Sequence, residues 1–257
     1  MGANLLRHHS AHRLLRPQQI ASTMAVSYRL ETHMSSTWKF ADGEQQGTIA
    51  HGLRARRFAL FMDLLAQVPK PTTILDIGGR ERFWFQMGFE PSEDVRIVLL
   101  NLKDVETTSP FVEGSVGDAT NLSDIEGGGY DIVFSNSTIE HLFTWEAQQK
   151  MAAEIRRVGK RYFIQTPNRY FPIEPHFQFP LFQFLPIALR KAMLKRFALG
   201  FRETKAKDDA DAEQIAREIR LMSKRELRRL FPDAKIYDEK FLGLTKSFVA
   251  YRSAESE

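Results

Sequence analysis

The most informative segment of the sequence is Ile74-Leu75-Asp76-Ile77-Gly78-Gly79, in which an apolar run leads directly into two glycines. This pattern is typical of a buried β-strand that ends in a tight turn. Glycine has no Cβ, so such a turn can approach a ligand closely at the carboxyl end of the strand, where open α/β sheets bind their ligands. The segment therefore predicts an α/β fold with a ligand site at the two glycines.

Further apolar runs with β-strand character follow at intervals that leave room for helices. This alternation predicts parallel strands joined by crossover helices. Near the C-terminus, a capping box of Ser223 and Glu226 opens a short helix that stops at Pro232, and a turn around Gly243 joins an antiparallel strand pair. The predicted strands are residues 73–77, 96–102, 111–116, 130–135, 161–165, 234–241 and 245–251, and the clearest helix is 145–158.

The length of 257 residues fits one domain preceded by a short arm. A helical pattern begins at residue 49 and ends before Pro69, so we expect the domain to span residues 49–257. The arm, residues 1–48, is basic at its start, where residues 1–30 hold no acidic side chain. We expect it to be poorly ordered, and an organelle transit peptide or a translation start near Met24 are the alternatives.

The composition limits the classes of chemistry and partner. Hydrophobic residues make up 43% and charged residues 26%, which is the mixture of a globular protein. The chain has no cysteine, which excludes thiol nucleophiles and cysteine-ligated zinc and agrees with the cytoplasmic location that we expect. A net charge of +4, spread along the chain, does not favour a nucleic-acid partner. The longest apolar-biased stretch, residues 177–189, is too short for the ~20 residues of a membrane-spanning helix.

A dinucleotide site is an alternative interpretation of the glycine turn. It requires the pattern G-x-G-x-x-G, which seats a pyrophosphate on a helix N-terminus. Counted from Gly78, the other two glycine positions hold Arg80 and Phe83. The sequence therefore disfavours an NAD-dependent oxidoreductase, although this class stays among the alternatives.

The segment Leu75-Asp76-Ile77-Gly78-Gly79, followed by the aromatic pair Phe83-Trp84, resembles the first motif of class I S-adenosylmethionine-dependent methyltransferases, specifically the LDIGG-type group similar to methyltransferase 11. The resemblance covers residues 73–251. It implies a Rossmann-like methyltransferase fold, an α/β fold in which a seven-stranded, mostly parallel sheet carries an antiparallel C-terminal strand pair. It also implies a helical cap formed by an insert at residues 177–222.

The resemblance implies S-adenosylmethionine as the cofactor and assigns its contacts motif by motif. In the second motif this chain has Asn101 where the family usually has an acid that accepts the ribose hydroxyls, and a role in shaping the turn is the alternative for this residue. In the third motif the aspartate reads the adenine amino group. The implied cofactor-binding residues are Asp76, Gly78 and Gly79 for the methionine part, Asn101 and Leu102 for the ribose, Asp118 and Ala119 for the adenine, and Asn136 and Ser137 beside the sulfonium.

Two histidines are the candidate catalytic residues. His141 or His176 could remove the proton from an acceptor hydroxyl, because imidazole titrates near neutrality, and a role limited to lining the pocket is the alternative. Related methyltransferases hold a divalent metal with Glu-x-x-Glu-His and a later histidine. Here Ser137 replaces the first glutamate, so no metal ligands are assigned, and Mg²⁺ held by Glu140, His141 and His176 stays an option.

The insert at residues 177–222 carries several phenylalanines among basic residues. These side chains could form a lid over an apolar acceptor, contact an anionic membrane surface, or pack as ordinary core. The expected reaction is methyl transfer from S-adenosylmethionine to an oxygen of a small or lipid-linked acceptor, with transfer to nitrogen less favoured. A non-catalytic protein of the same fold is the main rival. The sequence predicts no transmembrane segment and does not indicate the oligomeric state.

Overall fold

The computed structural model describes the backbone of residues 49–253 and the side chains of residues 51–253. The predicted basic arm, residues 1–48, lies outside the described residues. Nine strands occur in the described part of the chain: β1 (Thr72–Ile77), β2 (Val95–Asn101), β3 (Val112–Val116), β4 (Tyr130–Asn136), β5 (Gly159–Pro167), β6 (Ile173–Glu174), β7 (Phe179–Pro180), β8 (Lys235–Phe241) and β9 (Leu244–Arg252).

Seven of these strands form one sheet in the order β3-β2-β1-β4-β5-β9-β8. The first five strands pair in parallel, and β9 runs antiparallel to both β5 and β8. This arrangement confirms the predicted seven-stranded, mostly parallel sheet with an antiparallel C-terminal pair. The parallel strands bring the carboxyl ends of β1, β2, β4 and β5 to one edge, which is where open α/β sheets bind their ligands.

Six α-helices and two 3₁₀ turns connect the strands within residues 49–253. The helix predicted at residues 145–158 forms as predicted: the Thr144 hydroxyl caps its N-terminus by accepting from the Ala147 N–H, and Met151 and Ile155 are fully buried. The predicted capping box also forms. The helices are α1 (Ile49–Leu65), α2 (Glu81–Gln86), α3 (Trp145–Val158), α4 (Ile187–Arg196), α5 (Asp209–Arg217) and α6 (Lys224–Leu230), and the 3₁₀ turns are Ile139–Leu142 and Phe182–Phe184.

An aromatic core joins α1 and α2 to one face of the sheet. The ring of Phe61 lies 4.9 Å from that of Phe134 and 5.5 Å from that of Trp84, measured between ring centroids. Trp84 is fully buried and also packs on Phe134 at 5.0 Å. Each such edge-to-face or tilted pair adds about 1 kcal/mol beyond the burial of apolar area. The aromatic residue Trp84 after the glycine turn therefore anchors the first strand in the core.

The insert at residues 177–222, called the cap below, contains α4, α5 and a small core of its own, and its role as a cap over an acceptor stays a prediction. Phe177 and Phe182 are buried in that core, whereas Phe184 and Phe197 are 45% and 53% exposed. The phenylalanines of the insert thus divide between core and surface. Among the described residues, no helix combines the length and the hydrophobicity needed to cross a bilayer.

Candidate active site

The glycine turn lies at the carboxyl end of β1, as the sequence predicts. Gly78 has a φ of +75°, a conformation that glycine adopts without strain, and the side chain of Thr138 packs against its Cα. A Cβ at Gly79 would overlap with the carboxylate of Asp76. The Ile77 carbonyl accepts hydrogen bonds from the Ser135 and Thr138 hydroxyls, both at 3.1 Å, so the turn is fixed to the end of β4.

Asp76 lies beneath this turn and is only 1% exposed. One carboxylate oxygen, Oδ2, accepts a hydrogen bond of 2.9 Å from the Trp84 indole, while Oδ1 is buried with no hydrogen-bond partner among the described residues. Burial raises the pKa of Asp76 to about 7, although the Trp84 hydrogen bond acts in the opposite direction. The carboxylate is therefore a buried acceptor that lacks one donor.

Asn101 ends β2 next to the same turn. Its side-chain N–H donates a 3.0 Å hydrogen bond to the Gly79 carbonyl, and the residue is 4% exposed. Asn101 thus stabilises the glycine turn, which is the alternative role considered for it above. Leu102 follows it and is half-buried. The predicted ribose contacts of both residues stay predictions.

Asp118 and Ala119 follow β3 and are both half-buried. The Asp118 carboxylate accepts hydrogen bonds from the N–H and the hydroxyl of Thr120, each at 2.8 Å, which closes a local turn. One carboxylate oxygen is used in this turn. The predicted role of Asp118 in binding adenine stays a prediction.

Asn136 and Ser137 lie at the end of β4, beside the end of β5. The Ser137 hydroxyl donates a 2.7 Å hydrogen bond to the Gln165 side chain, and the Ser137 N–H donates to the Gln165 carbonyl. Ser137 has a positive φ of 58°, an uncommon conformation for a residue with a side chain. Asn136 accepts a long hydrogen bond, 3.4 Å, from Arg57. These contacts fix the backbone at the point where the sequence predicts the methyl-transfer site.

The two candidate catalytic histidines lie in contact. His141 is in the 3₁₀ turn after β4, His176 is in the loop between β6 and β7, and their ring centroids are 5.0 Å apart at an angle of 90°. His176 Nδ1 makes a 2.8 Å hydrogen bond to the carboxylate of Glu174, whose other oxygen accepts from the Phe177 N–H. Because a carboxylate only accepts, Nδ1 carries the proton, and Nε2 is left as the basic nitrogen of the neutral ring.

Burial and neighbouring charges separate the pKa values of these groups. Burial, together with the charge of His176, lowers the pKa of His141 to about 3, so His141 is neutral near pH 7. Burial also opposes the charged form of His176, but the hydrogen bond and charge of Glu174 outweigh it and raise the pKa of His176. Of the two imidazoles, His176 is the stronger base.

Glu140, His141 and His176 place their potential ligand atoms within 4.8 Å of one another. Glu140 is fully buried, accepts a 3.1 Å hydrogen bond from the Thr166 hydroxyl through Oε2, and has no partner for Oε1 among the described residues. Mg²⁺ takes oxygen ligands in octahedral geometry, whereas two of these three donors are imidazole nitrogens. This donor set does not fit the Mg²⁺ ion that the sequence left as an option.

The sequence did not indicate several residues that build this site. Arg57 of α1 pairs with the buried Glu239 at 2.9 Å and reaches Asn136, and the two charged partners are 182 residues apart in the chain. Trp84 was noted only as part of an aromatic pair, yet it is the donor to Asp76. Contacts of this kind leave no periodic pattern in a single sequence.

Comparison with known proteins gives matches at the level of structure. A 1,6-didemethyltoxoflavin N1-methyltransferase of Burkholderia thailandensis, with bound 1,6-didemethyltoxoflavin and S-adenosylhomocysteine, is 12% identical to this chain, with a TM-score of 0.51 over 95% of this chain and 94% of its own. A magnesium protoporphyrin IX methyltransferase of Synechocystis, with bound S-adenosylhomocysteine, is 12% identical, with a TM-score of 0.50 over 91% of this chain and 95% of its own. No family profile and no curated protein matches the sequence.

The order of the strands gives a second comparison. In this sheet the last strand, β9, lies between β5 and β8, whereas the strands of a dinucleotide-binding sheet follow the order 3-2-1-4-5-6. The topology and the structural matches agree with each other. The chain therefore has the Rossmann-like fold of class I S-adenosylmethionine-dependent methyltransferases.

Proposed function

We propose that this chain is an enzyme that transfers a methyl group from S-adenosylmethionine to an oxygen atom of a small or lipid-linked acceptor. The observation that carries this proposal is the contact between His141, in the 3₁₀ turn that follows β4, and His176, which is hydrogen-bonded to Glu174. A half-buried imidazole oriented by a carboxylate has the arrangement that a general base requires, and an acceptor hydroxyl needs such a base.

The chemistry of the glycine turn fits the proposed cofactor. Asp76 Oδ1 is a buried acceptor without a donor among the described residues, and it lies at the glycine turn that ends β1. An ammonium group bound at the turn would supply the missing donor and favour the charged carboxylate. A dinucleotide would instead bring phosphate charges towards a carboxylate. The other cofactor contacts that we propose are Asn101, Leu102, Asp118, Ala119, Asn136 and Ser137.

His176, Glu174 and His141 have different roles in the proposed reaction. His176 Nε2 accepts the proton of the acceptor hydroxyl, and Glu174 stabilises the imidazolium that results. His141, which stays neutral, packs edge-on against His176 and limits its rotation. When bound, the cofactor supplies an electrophilic methyl group on a sulfonium. The rest of the acceleration comes from holding the acceptor oxygen in line and excluding water, which is the role we give to the cap.

A second candidate is a non-catalytic protein of the same fold that binds the cofactor only. Asn101 favours it, because its amide is engaged with the Gly79 carbonyl where a carboxylate would bind ribose hydroxyls more strongly. The cytoplasmic location expected from the sequence stays a prediction under either function.

Methyl-labelled S-adenosylmethionine and fractionated cell extract test the proposal. We expect label in one fraction with wild-type protein, and a loss of about 100-fold or more in the initial rate with His176→Gln, whose S-adenosylhomocysteine affinity should be unchanged. Extraction of the product into organic solvent separates a lipid-linked from a small acceptor, and a parallel reaction with chelator tests for a metal requirement. Cofactor binding without label in any fraction would support the non-catalytic protein instead.

A further inference from the structure

A cavity of about 230 Å³ lies between the loop after β5 and the cap. We call it the arginine pocket, because Arg169, Arg190 and Arg220 line it together with Gln183, Phe177 and Phe182. It is separate from the glycine turn, and neither the sequence motifs nor the structural matches assign it a ligand. Its charges and its unpartnered groups indicate what it binds.

Two of the three arginines have no acidic partner among the described residues. Arg190 is fixed by hydrogen bonds to two neutral carbonyls, from Nε to Leu185 at 2.9 Å and from Nη1 to Ala216 at 3.1 Å. Burial lowers the pKa of Arg190, the positive charges of Arg217 and Arg169 act in the same direction, and the negative charge of Glu174 opposes them. The Arg169 side chain is exposed and makes no hydrogen bond or ion pair within residues 51–253.

Two other charged residues line the pocket, Arg220 and Glu174. Arg220 pairs with Glu226 at 2.6 Å and donates to Gln148, also at 2.6 Å. Glu174, the acid in the pocket wall, is hydrogen-bonded to the neutral His176 and keeps its negative charge, which acts on Arg190. With Arg169 and Arg190 set against Glu174, the pocket therefore holds an excess of one positive charge, which a bound anion would offset.

The other residues that line the pocket favour a ligand with an apolar body and a hydrogen-bond donor. The rings of Phe177 and Phe182 are buried, with centroids 4.2 Å apart. Gln183 donates through Nε2 to the carbonyls of Arg169 and Phe171, which fixes its orientation and leaves its buried Oε1 without a partner. A ligand hydroxyl or N–H would supply the missing donor.

The pocket adjoins the proposed catalytic histidines through Glu174, which lines the pocket and is hydrogen-bonded to His176. We propose that the arginine pocket binds the anionic group, a carboxylate or a phosphate, of a methyl acceptor with an apolar or aromatic body. This inference rests on the proposed function for the identity of the ligand as the acceptor. The binding of an anion by the pocket can be measured without turnover.

The test is binding of benzoate, phenyl phosphate and neutral benzamide by ligand-detected NMR, with S-adenosylhomocysteine affinity measured separately by calorimetry. We expect at least one of the two anions to bind about tenfold or more tightly than benzamide, and the tighter anion identifies the group. Arg169→Met should lose about tenfold in anion affinity with benzamide binding unchanged, and its fold should be intact because Arg169 has no partner to lose. Arg190→Met should lose a comparable factor or more.

Arg217→Met is the matched control, because Arg217 is a nearby exposed cation that pairs with Glu213 and does not line the pocket. We expect its anion affinity to stay within about twofold of wild type. Equal binding of benzamide and the anions, or equal losses in Arg169→Met and Arg217→Met, would overturn the proposal. Failure of S-adenosylhomocysteine to bind wild-type protein would instead refute the proposed function, and anion binding would still be measurable.

Discussion

Replacing Asp76 by asparagine keeps the shape of the side chain and the acceptor for the Trp84 indole, and it removes the charge. In the wild type this carboxylate is buried beneath the glycine turn, with Oδ2 bonded to Trp84 and Oδ1 unpartnered. A buried carboxylate with one hydrogen bond destabilises the folded protein whenever it is ionised. Asp76→Asn should relieve that cost at high pH and have no such effect at low pH.

The size and sign of the effect follow from the pKa. Burial raises the pKa of Asp76 in the folded protein from 3.8 to about 7. Well below the unfolded-state pKa the group is neutral in both the folded and unfolded states, and well above the folded-state pKa it is charged in both, so wild-type stability falls as pH rises between the two pKa values. At 1.36 kcal/mol per pKa unit, the change over this window is about 4 kcal/mol. The unpartnered amide of the variant adds a pH-independent cost of about 1–3 kcal/mol.

The assay is urea unfolding of both proteins from pH 4.5 to 8.5, without cofactor. The unfolding free energy of the variant minus that of the wild type should rise by about 3 kcal/mol between these limits, because about 1 kcal/mol of the full change falls below pH 4.5. Asp131→Asn is the matched control, because hydrogen bonds from Lys160 and Thr73 outweigh burial and lower the pKa of Asp131. The wild-type Asp131 carboxylate loses its stabilising effect only as pH falls below the ordinary range of a carboxylate. The difference in unfolding free energy between Asp131→Asn and wild type should therefore be constant above about pH 5. A flat difference for Asp76→Asn as well would refute the reasoning.

Three further predictions concern the framework of the site. Gly79→Ala should lower the unfolding free energy by about 1–3 kcal/mol and weaken S-adenosylhomocysteine binding, because its Cβ overlaps with the Asp76 carboxylate; an unchanged melting curve would contradict this. Arg57→Met should cost about 3–5 kcal/mol in chemical unfolding, because it leaves Glu239 buried and unpaired, and a loss under 1 kcal/mol would argue against the pair. Ser223→Ala should lower the unfolding free energy by about 1 kcal/mol, because it removes the capping box. Ser223→Asp keeps an N-cap acceptor and should show no measurable loss of unfolding free energy.

Much of the fold could be predicted because it depends on local patterns. The apolar run before Gly78 and the periodicity of residues 145–158 are properties of adjacent residues, and the corresponding strand and helix form where predicted. The C-terminal hairpin was predicted from two strand-like runs around Gly243, which has a φ of +81°. The short strands β6 and β7 were not predicted, since two-residue strands carry no pattern.

The environment of the site was less predictable, because it depends on contacts between distant parts of the chain. The sequence placed Asp76 at the glycine turn, but it did not indicate that the carboxylate is buried against Trp84. His141 and His176 were selected as candidates, and only the folded chain shows that they are in contact and that Glu174 orients one of them. The arginine pocket depends on the path of the cap, which brings Arg190 and Arg169 together without any shared motif.

Calorimetric titration of the wild-type protein with S-adenosylhomocysteine and, separately, with NAD⁺ tests the central claim most directly. We expect one site for S-adenosylhomocysteine, no measurable heat from NAD⁺, and an affinity at least about tenfold lower in Asp118→Ala, which loses the proposed contact to adenine. Binding of NAD⁺ with no binding of S-adenosylhomocysteine, or an unchanged affinity in Asp118→Ala, would contradict it.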